Sequence, residues 1–278
     1  MNTILIPIDF SSTSKNAVRY ALALAPLFDT HKIILYHAWE YISVNPDPLM
    51  ETGEAITIEV LQEGMRENMD NFVNEVKSWN AAIEIQAINE YANLTDGIKN
   101  VCSDTNVQLM IMGITGDNEE NYSALDDEIT NFTRHINLPI ILVPSQAGFS
   151  GIQNIVLACD FKNIDESFPG GAITSILQKL KAKLFVLNVS AGAEYNTQTD
   201  VHSGTDFIRN HLQEFSPEFH FIESTDIAGG IHQFSEEKNA QLIITTPKKH
   251  GWFENLFRKS RTQQLAHHSN TPLLVLHE

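Results

Sequence analysis

The sequence predicts an open α/β fold that is built twice, and three observations support this prediction. The chain has 278 residues, the length of about two domains of ~100–200 residues each. Short continuous runs of Val, Ile and Leu alternate with helical patterns, as a parallel sheet buried on both faces requires. The same landmarks also occur twice in the same order. The predicted fold class is therefore two open five-stranded parallel-sheet domains of Rossmann-like type in tandem.

The repeat begins with a strand that ends in Asp-Phe. The run ILIPIDF places Asp9 at the end of the first strand, and the run IVLACDF places Asp160 at the equivalent point. A second buried strand follows in each half, as KIILYHA at 32–38 and KLFVLNV at 183–189. Further along, QLMIMG matches QLIITT, and LPIILVP matches TPLLVLH. Four landmarks in a fixed order predict two copies of one unit.

Each half is predicted to contain five strands. They lie near 3–8, 32–38, 82–88, 107–113 and 139–143, and near 154–159, 183–189, 218–223, 240–246 and 272–277. The second copy is shorter, and we place the difference after its second strand, where the first half has a loop and a long helix near 54–79. The motif PSQAGFSG predicts a linker between domains at 1–147 and 150–278.

The long helix carries apolar residues at helical spacing, which we interpret as a stripe that faces the core. An alternative is a groove for a lipid or a peptide, which would need a deep apolar cavity near Met65 and Met69. The stripe consists of Val60, Leu61, Met65, Met69, Phe72, Val73 and Val76.

The composition indicates an acidic globular protein. There are 35 acidic and 18 basic residues, for a net charge of -17, so the chain would repel nucleic-acid phosphate and anionic lipid. The two cysteines, Cys102 and Cys159, form neither a zinc set nor a disulfide framework. No run approaches the ~18 apolar residues of a membrane span, and no signal-peptide pattern precedes the first strand. We expect a cytoplasmic protein without nucleic-acid or membrane partners.

Three segments together resemble the universal stress protein family: ILIPIDFSSTSKNAVRYALALA, LMIMGITG and HINLPIILVP. The resemblance extends to both halves and implies a tandem member of that family. In its ATP-binding members, the phosphates lie in a loop of Gly, two residues, Gly, nine residues, then Gly-Ser or Gly-Thr. The resemblance also implies that the aspartate after the first strand and the backbone at the end of the second strand lie near adenine. These positions are Asp9 and Ala38, and Asp160 and Val189.

The first half keeps only part of the phosphate loop. Gly113 and Gly116 have the family spacing, but Asp126 and Asp127 follow where the family has Gly-Ser. Two unit charges ~4 Å apart interact by roughly 4 kcal/mol at an effective dielectric constant of about 20, so carboxylates here oppose phosphate. We expect no conventional ATP site in this half. A divalent cation that bridges the carboxylates to a phosphate is the alternative to a simple acidic helix start.

The second half loses the glycines and keeps the hydroxyls. Thr246, Lys249 and Lys259 stand at the glycine positions, Ser260 matches the motif serine, and Thr262 supports the helix start. Five of the 11 basic residues of this half lie between 248 and 261. The cluster is interpreted as an anion site, as lysines that fill the vacated phosphate space and pair with acidic groups, or as a solvated surface. ATP or another nucleotide is expected only here, if anywhere in the chain.

The two aspartates have a structural interpretation as well. An aspartate between a buried strand and a helix often caps that helix without any ligand. For Asp9, which Ser11 and Ser12 follow, we favour capping or turn formation. For Asp160 the capping and the ligand interpretations are both open.

No catalytic constellation is recognisable. The sequence has no Gly-x-Ser-x-Gly, Gly-x-x-x-x-Gly-Lys-Ser or Gly-x-Gly-x-x-Gly motif, and its histidines lack ligand spacing for a metal. The cluster His250, Gly251, Trp252, Phe253 and Phe257 is interpreted as a satellite core beneath a loop, or else as a partner-binding or lid patch.

The expected function is that of a binding or signalling module of the stress response, with degenerate ATP-type sites. Two other classes are open: a nucleotide-hydrolysing or nucleotide-transferring enzyme, and a nucleotide-free scaffold or carrier of a hydrophobic ligand. We expect an unidentified protein partner, with a further homodimer as an open alternative. Within the chain, the fifth strands at 140–143 and 273–276 are expected to pair, because pairing would cover two apolar sheet edges.

Overall fold

The computed structural model describes residues 1–40, 58–114, 136–161, 164–166, 168–190, 198–246 and 270–276. Strands and helices alternate along these ranges, as predicted. The strands are β1 (Thr3–Pro7), β2 (Lys32–Trp39), β3 (Glu84–Tyr91), β4 (Leu109–Ile114), β5 (Ile140–Pro144), β6 (Asn154–Ala158), β7 (Lys183–Ser190), β8 (Glu218–Glu223), β9 (Leu242–Thr245) and β10 (Leu273–Val275). The helices are α1 (Ser12–Phe28), α2 (Ile58–Trp79), α3 (Leu94–Asp104), α4 (Gly170–Leu180), α5 (Gln198–Leu212) and α6 (Ile227–Glu237). Two short 3₁₀ helices cover Ile164–Glu166 and Gln213–Phe215.

All ten strands form one sheet, in the order β3-β2-β1-β4-β5-β10-β9-β6-β7-β8. Within each half the five strands are parallel. The halves meet where β5 and β10 pair antiparallel, with Leu142 opposite Leu273 and Ile140 opposite Val275. This confirms the prediction that the fifth strands pair. Each of the two strands covers the open edge of the other. We call this β5–β10 contact the seam.

The core consists of two apolar layers, one on each face of the sheet, and each layer runs through both halves. Helices α1, α2, α4 and α5 contribute to one layer. Helices α3 and α6 contribute to the other. All six residues of β4 are buried, as a central parallel strand covered on both faces requires.

The shorter second copy has the predicted cause. Helix α2 has 22 residues, whereas α5 at the equivalent place has 15. The predicted stripe is confirmed at Met69, Phe72 and Val76, which are buried. It is wrong at Val60, which is 62% exposed. Its neighbour Ile58 is exposed as well, so the first turn of α2 does not pack on the core.

The segment between the halves is fastened to α1. The Asn16 side chain donates from Nδ2 to the carbonyls of Pro144 and Ala147, both at 3.0 Å. The ring of Phe149 packs edge-on against Tyr20 at a centroid distance of 5.3 Å. Within the described ranges, no helix is both long and apolar enough to cross a bilayer.

Candidate functional site

The predicted site residues that the structure describes lie at the carboxyl ends of adjacent strands. Strand β1 lies between β2 and β4, so the chain reverses its strand order beside β1. Such a switch point is where ligands bind in open α/β sheets. Asp9 follows β1, Ala38 is near the end of β2, and Gly113 is near the end of β4. The structure thus brings these three residues to the same end of the sheet, where the carboxyl ends of the strands lie.

The second half repeats this arrangement. Strand β6 lies between β7 and β9. Asp160 follows β6, Val189 is near the end of β7, and Thr246 directly follows β9. The other predicted positions lie outside the described residues, and so do the acidic pair and the aromatic cluster. These are Gly116, Asp126, Asp127, Lys249, the cluster between His250 and Phe257, Lys259, Ser260 and Thr262.

In the first half, Asp9 shapes the turn between β1 and α1. Its Oδ1 accepts from the Ser11 backbone N–H at 3.0 Å and from the Ser11 hydroxyl at 2.5 Å. Phe10 between them is in the left-handed region, with φ 64°. Ser11 is the N-cap of α1, and its Oγ accepts from the Ser14 N–H at 3.1 Å. The cap is thus Ser11, and Asp9 orients it, which is the turn-forming role that we favoured for Asp9.

Gly113 has no room for a side chain. A Cβ added there would lie 2.5 Å from the backbone oxygen of Thr13, in the first turn of α1. The glycine therefore allows α1 to approach β4 closely, because any other residue would push the two apart. This contact places the helix backbone against the strand end where the phosphate loop is expected to begin.

The second half differs because its helix starts later. Helix α1 begins three residues after Asp9, whereas α4 begins at Gly170, ten residues after Asp160. The N-cap of α4 is Pro169, and no side chain hydrogen-bonds there. Asp160 is buried, at 6% exposure, and it does not cap α4. The capping interpretation of Asp160 is therefore wrong for this helix.

Thr246 occupies the place that Gly113 has in the first half. It is buried, at 5% exposure, so its side chain is accommodated within the fold. The residue equivalent to Thr13 is Ile164, which belongs to a 3₁₀ helix instead of the first turn of an α-helix. The later start of α4 thus accompanies the exchange of glycine for threonine.

Two residues at the strand ends escaped the sequence analysis. His37 Nδ1 lies 2.8 Å from the carbonyl of Ile8, and Asn188 Nδ2 donates to the carbonyl of Cys159 at 2.9 Å. His37 and Asn188 are equivalent in the two halves, and each reaches the residue before the aspartate. The alignment of KIILYHA with KLFVLNV contains this signal, because it pairs His37 with Asn188, a polar donor one residue before the end of each apolar run.

Burial favours the neutral form of the His37 ring. Desolvation lowers the pKa of His37, and the bond to the Ile8 carbonyl and the charge of Asp9 oppose this only partly. Since a carbonyl only accepts, Nδ1 carries the proton. The ring also packs against Phe10 at 4.5 Å between centroids, and Phe10 packs against Phe72 of α2 at 5.8 Å. His37 is thus fixed in one orientation.

Metal ligands are not clustered in the described part of the chain. No group of three or more His, Cys, Asp or Glu side chains there is arranged to hold an ion. The arrangement at the two strand edges offers instead a carboxylate, backbone groups and, in the second half, buried hydroxyls. Such groups suit hydrogen bonding to a polar organic ligand.

Comparison of the whole sequence with protein families gives a match in each half. The model of the universal stress protein family matches residues 1–144 and again residues 151–277. No curated protein matches the chain in sequence.

Solved structures share the fold over nearly the whole chain. A universal stress protein from Archaeoglobus fulgidus DSM 4304 has a TM-score of 0.70 at 16% identity, with 99% of this chain and 98% of that chain covered. A functionally unknown protein from Pseudomonas aeruginosa PAO1 has a TM-score of 0.63 at 14% identity, with 99% and 92% covered. The cytoplasmic domain of a prokaryotic cation chloride cotransporter has a TM-score of 0.50 at 12% identity, with 99% and 94% covered. At these identities the similarity establishes the fold.

Proposed function

Since the chain belongs to the universal stress protein family over both of its halves, we propose that it is a stress-response binding module whose second half alone binds a nucleotide. ATP or a related nucleotide is the proposed ligand, and binding occurs without turnover. The first half then serves as the structural partner that completes the sheet. Bound nucleotide regulates association with a protein partner.

The different starts of α1 and α4 carry this proposal. In the first half, Asp9 is engaged by Ser11, and Gly113 is packed against the backbone of Thr13. The carboxyl end of β4 is therefore packed closely against the start of α1. In the second half, α4 begins only at Gly170, and a short 3₁₀ helix at Ile164–Glu166 lies at the position of the first turn of α1. The first turn of α1 thus has no α-helical counterpart beside Asp160, and we propose that this difference makes room for a ligand.

Charge supports the same half. Residues 1–149 carry 7 basic and 21 acidic residues, and the remainder carries 11 and 14. The formal charges are therefore -14 and -3, so a polyanion meets far less repulsion at the second half. Lys249 and Lys259, with the hydroxyls of Ser260 and Thr262, supply the proposed phosphate contacts by sequence. Asp160, Val189 and Thr246 are the proposed contacts at the base and sugar end.

Binding of Mg-ATP to the full chain tests the proposal. We expect isothermal titration and native mass spectrometry to show one nucleotide per chain. Asp160→Ala should weaken binding about tenfold, which corresponds to one lost hydrogen bond of ~1.4 kcal/mol to a charged group. Asp9→Ala is the matched control, because Asp9 is its equivalent in the first half, and it should leave the affinity unchanged.

Four results would contradict parts of the proposal. A loss of affinity in Asp9→Ala but not in Asp160→Ala would place the nucleotide in the first half. An absence of binding to the folded wild-type chain would leave a nucleotide-free scaffold. Turnover that Lys259→Ala or Ser260→Ala abolishes would make the protein an enzyme. A co-purifying lipid mass would indicate a hydrophobic-ligand carrier instead, although Met69 is only 3% exposed and packs in the core.

The role as a module fits the architecture. The seam joins the two halves into one sheet through β5 and β10. Each half thus keeps its own set of strand carboxyl ends, where its site lies. A related fold forms the cytoplasmic domain of a prokaryotic cation chloride cotransporter, so this architecture also occurs as one part of a larger protein. We therefore expect a protein partner to recognise the state of the second half.

A further inference from the structure

The pairing of β1 with β2 stops one step early. The Ile8 N–H donates to the Tyr36 carbonyl at 2.8 Å. In a regular parallel ladder, the next bond would run from the Ala38 N–H back to the Ile8 carbonyl. The paired register ends at Pro7–Tyr36 instead, and the His37 side chain lies at that carbonyl. The described residues provide no other backbone acceptor for the Ala38 N–H outside the strand ladders.

The pairing of β6 with β7 stops at the equivalent step. The Cys159 N–H donates to the Leu187 carbonyl at 2.9 Å, and the register ends at Ala158–Leu187. The Asn188 amide donates to the Cys159 carbonyl. In a regular parallel ladder the Val189 N–H would donate to this carbonyl instead. Two different side chains thus produce the same interruption in two halves of one chain.

We propose that His37 and Asn188 are positioning residues that occupy the strand-end carbonyl and so leave the N–H of Ala38 and of Val189 available to a ligand. This inference rests on the proposed function for its ligand, a nucleotide whose planar base accepts a hydrogen bond at its edge. The N–H of Val189 is the donor in the second half. The N–H of Ala38 is the corresponding donor in the first half, where the sequence places Asp126 and Asp127 in the phosphate loop.

The chemistry of the two side chains explains why a histidine and an asparagine can both hydrogen-bond to the strand-end carbonyl. A carbonyl oxygen only accepts, so the residue that holds it must donate. The Asn188 amide donates from Nδ2, and the His37 ring donates from Nδ1 whether it is neutral or protonated. A leucine of similar size has no donor, so it cannot hold the carbonyl.

The burial of Val189 affects how much its backbone N–H gains from a hydrogen-bond acceptor. Val189 is 2% exposed, and buried backbone N–H groups in proteins are nearly always paired. A donor that is held open at such a position gains more from an acceptor on a ligand than a donor that water already satisfies. Among the described residues the Val189 N–H has no partner in the β6–β7 ladder, and an acceptor on a ligand would pair it.

Amide hydrogen exchange measured by NMR on the full chain without ligand tests the positioning role. Asn188→Leu removes the amide that donates to the Cys159 carbonyl, and we expect β7 to pair with β6 one residue further. We expect the Val189 amide to become at least about tenfold more protected, because it enters the ladder. Asn188→His, which copies the first half, should exchange like the wild type. Unchanged Val189 protection in folded Asn188→Leu would overturn the inference.

The first half supplies a second test if Asn188→Leu does not fold. His37→Leu should increase the protection of the Ala38 amide, and His37→Asn, which copies the second half, should not. Equal protection of Ala38 in both variants would also overturn the inference.

Titration with Mg-ATP tests the ligand role separately. Asn188→Leu should weaken binding about tenfold, and Asn188→His should restore it. If the wild-type chain binds no nucleotide, the proposed function fails, whereas the exchange result still decides the positioning role. If exchange changes as expected and the affinity of Asn188→Leu equals that of the wild type, the Val189 N–H is not a ligand donor and the inference fails at that step.

Discussion

Gly97 illustrates how a single residue sets the distance between a helix and the sheet. It lies in the first turns of α3, and a Cβ added there would overlap the Tyr36 hydroxyl and lie 3.3 Å from Glu90 Oε2. Tyr36 is fully buried, and its hydroxyl donates to Glu90 at 3.0 Å. Burial and this hydrogen bond raise the pKa of Tyr36, so the hydroxyl stays protonated as a donor. The glycine thus makes room for a buried polar pair.

Gly97→Ala should therefore destabilise the protein by about 1–3 kcal/mol, the usual cost of overpacking a core. Urea unfolding followed by circular dichroism measures this change. Tyr36→Phe removes the overlapping hydroxyl and should recover part of the loss in the double variant. Gly64→Ala is the control: nothing lies within 4 Å of a Cβ there, so this change in α2 should stabilise by about 0.5–1 kcal/mol. Equal effects of the two glycine substitutions would contradict this account.

At the scale of single elements, the start of α1 depends on a short side-chain relay. Asp9 accepts from the Ser11 hydroxyl, and Ser11 Oγ accepts from the Ser14 N–H. The first helix of the second half has no such side-chain cap. The two helices therefore begin by different means although their strands are equivalent.

Ser11→Ala should lower the free energy of unfolding by about 1 kcal/mol, because α1 loses its N-cap. Thermal and urea unfolding both measure this loss. Ser12→Ala is the neighbouring control, since Ser12 is exposed and is not the N-cap. A larger loss in Ser12→Ala than in Ser11→Ala would refute the assignment of the cap.

The elements also show what the sequence can predict. Repeated apolar runs predict the ten strands along the chain, because burial on both faces imposes a continuous apolar pattern on each of them. The late start of α4 was not predicted, because Pro169 and Gly170 give no conventional cap signal. The bonds of His37 and Asn188 were also missed, since a bond from a side chain to a neighbouring strand has no period along the chain. The exposure of Val60 depends on which turns of α2 pack on the core, which a helical pattern does not encode.

For the whole molecule, the seam decides how the halves share stability. Leu142 and Leu273 lie opposite each other across it, and both are buried. Helices α1 and α4 add a second contact, where Lys179 pairs with Asp29 at 2.5 Å. This ion pair is partly exposed, so the apolar strand pair contributes more.

A double-mutant cycle measures the coupling through the seam. Leu142→Ala and Leu273→Ala should each destabilise the full chain by about 2–5 kcal/mol. Their interaction energy should be about 0.5–3 kcal/mol, as for residues in contact. Leu5→Ala and Leu184→Ala lie in different halves and different core layers, so they should add within about 0.5 kcal/mol if unfolding is two-state. Strict additivity across Leu142 and Leu273 would mean that the halves are energetically independent.

The antiparallel pairing of β5 and β10 within one chain also affects how the two halves can evolve. In a pair of identical subunits, each mutation changes both pockets at once, so neither can specialise without the other. Here each half is encoded by its own part of the gene. The shared sheet holds the two halves together, and a single chain always supplies one of each. One copy can therefore lose its ligand site and keep only a structural role, while the other is refined for a single ligand.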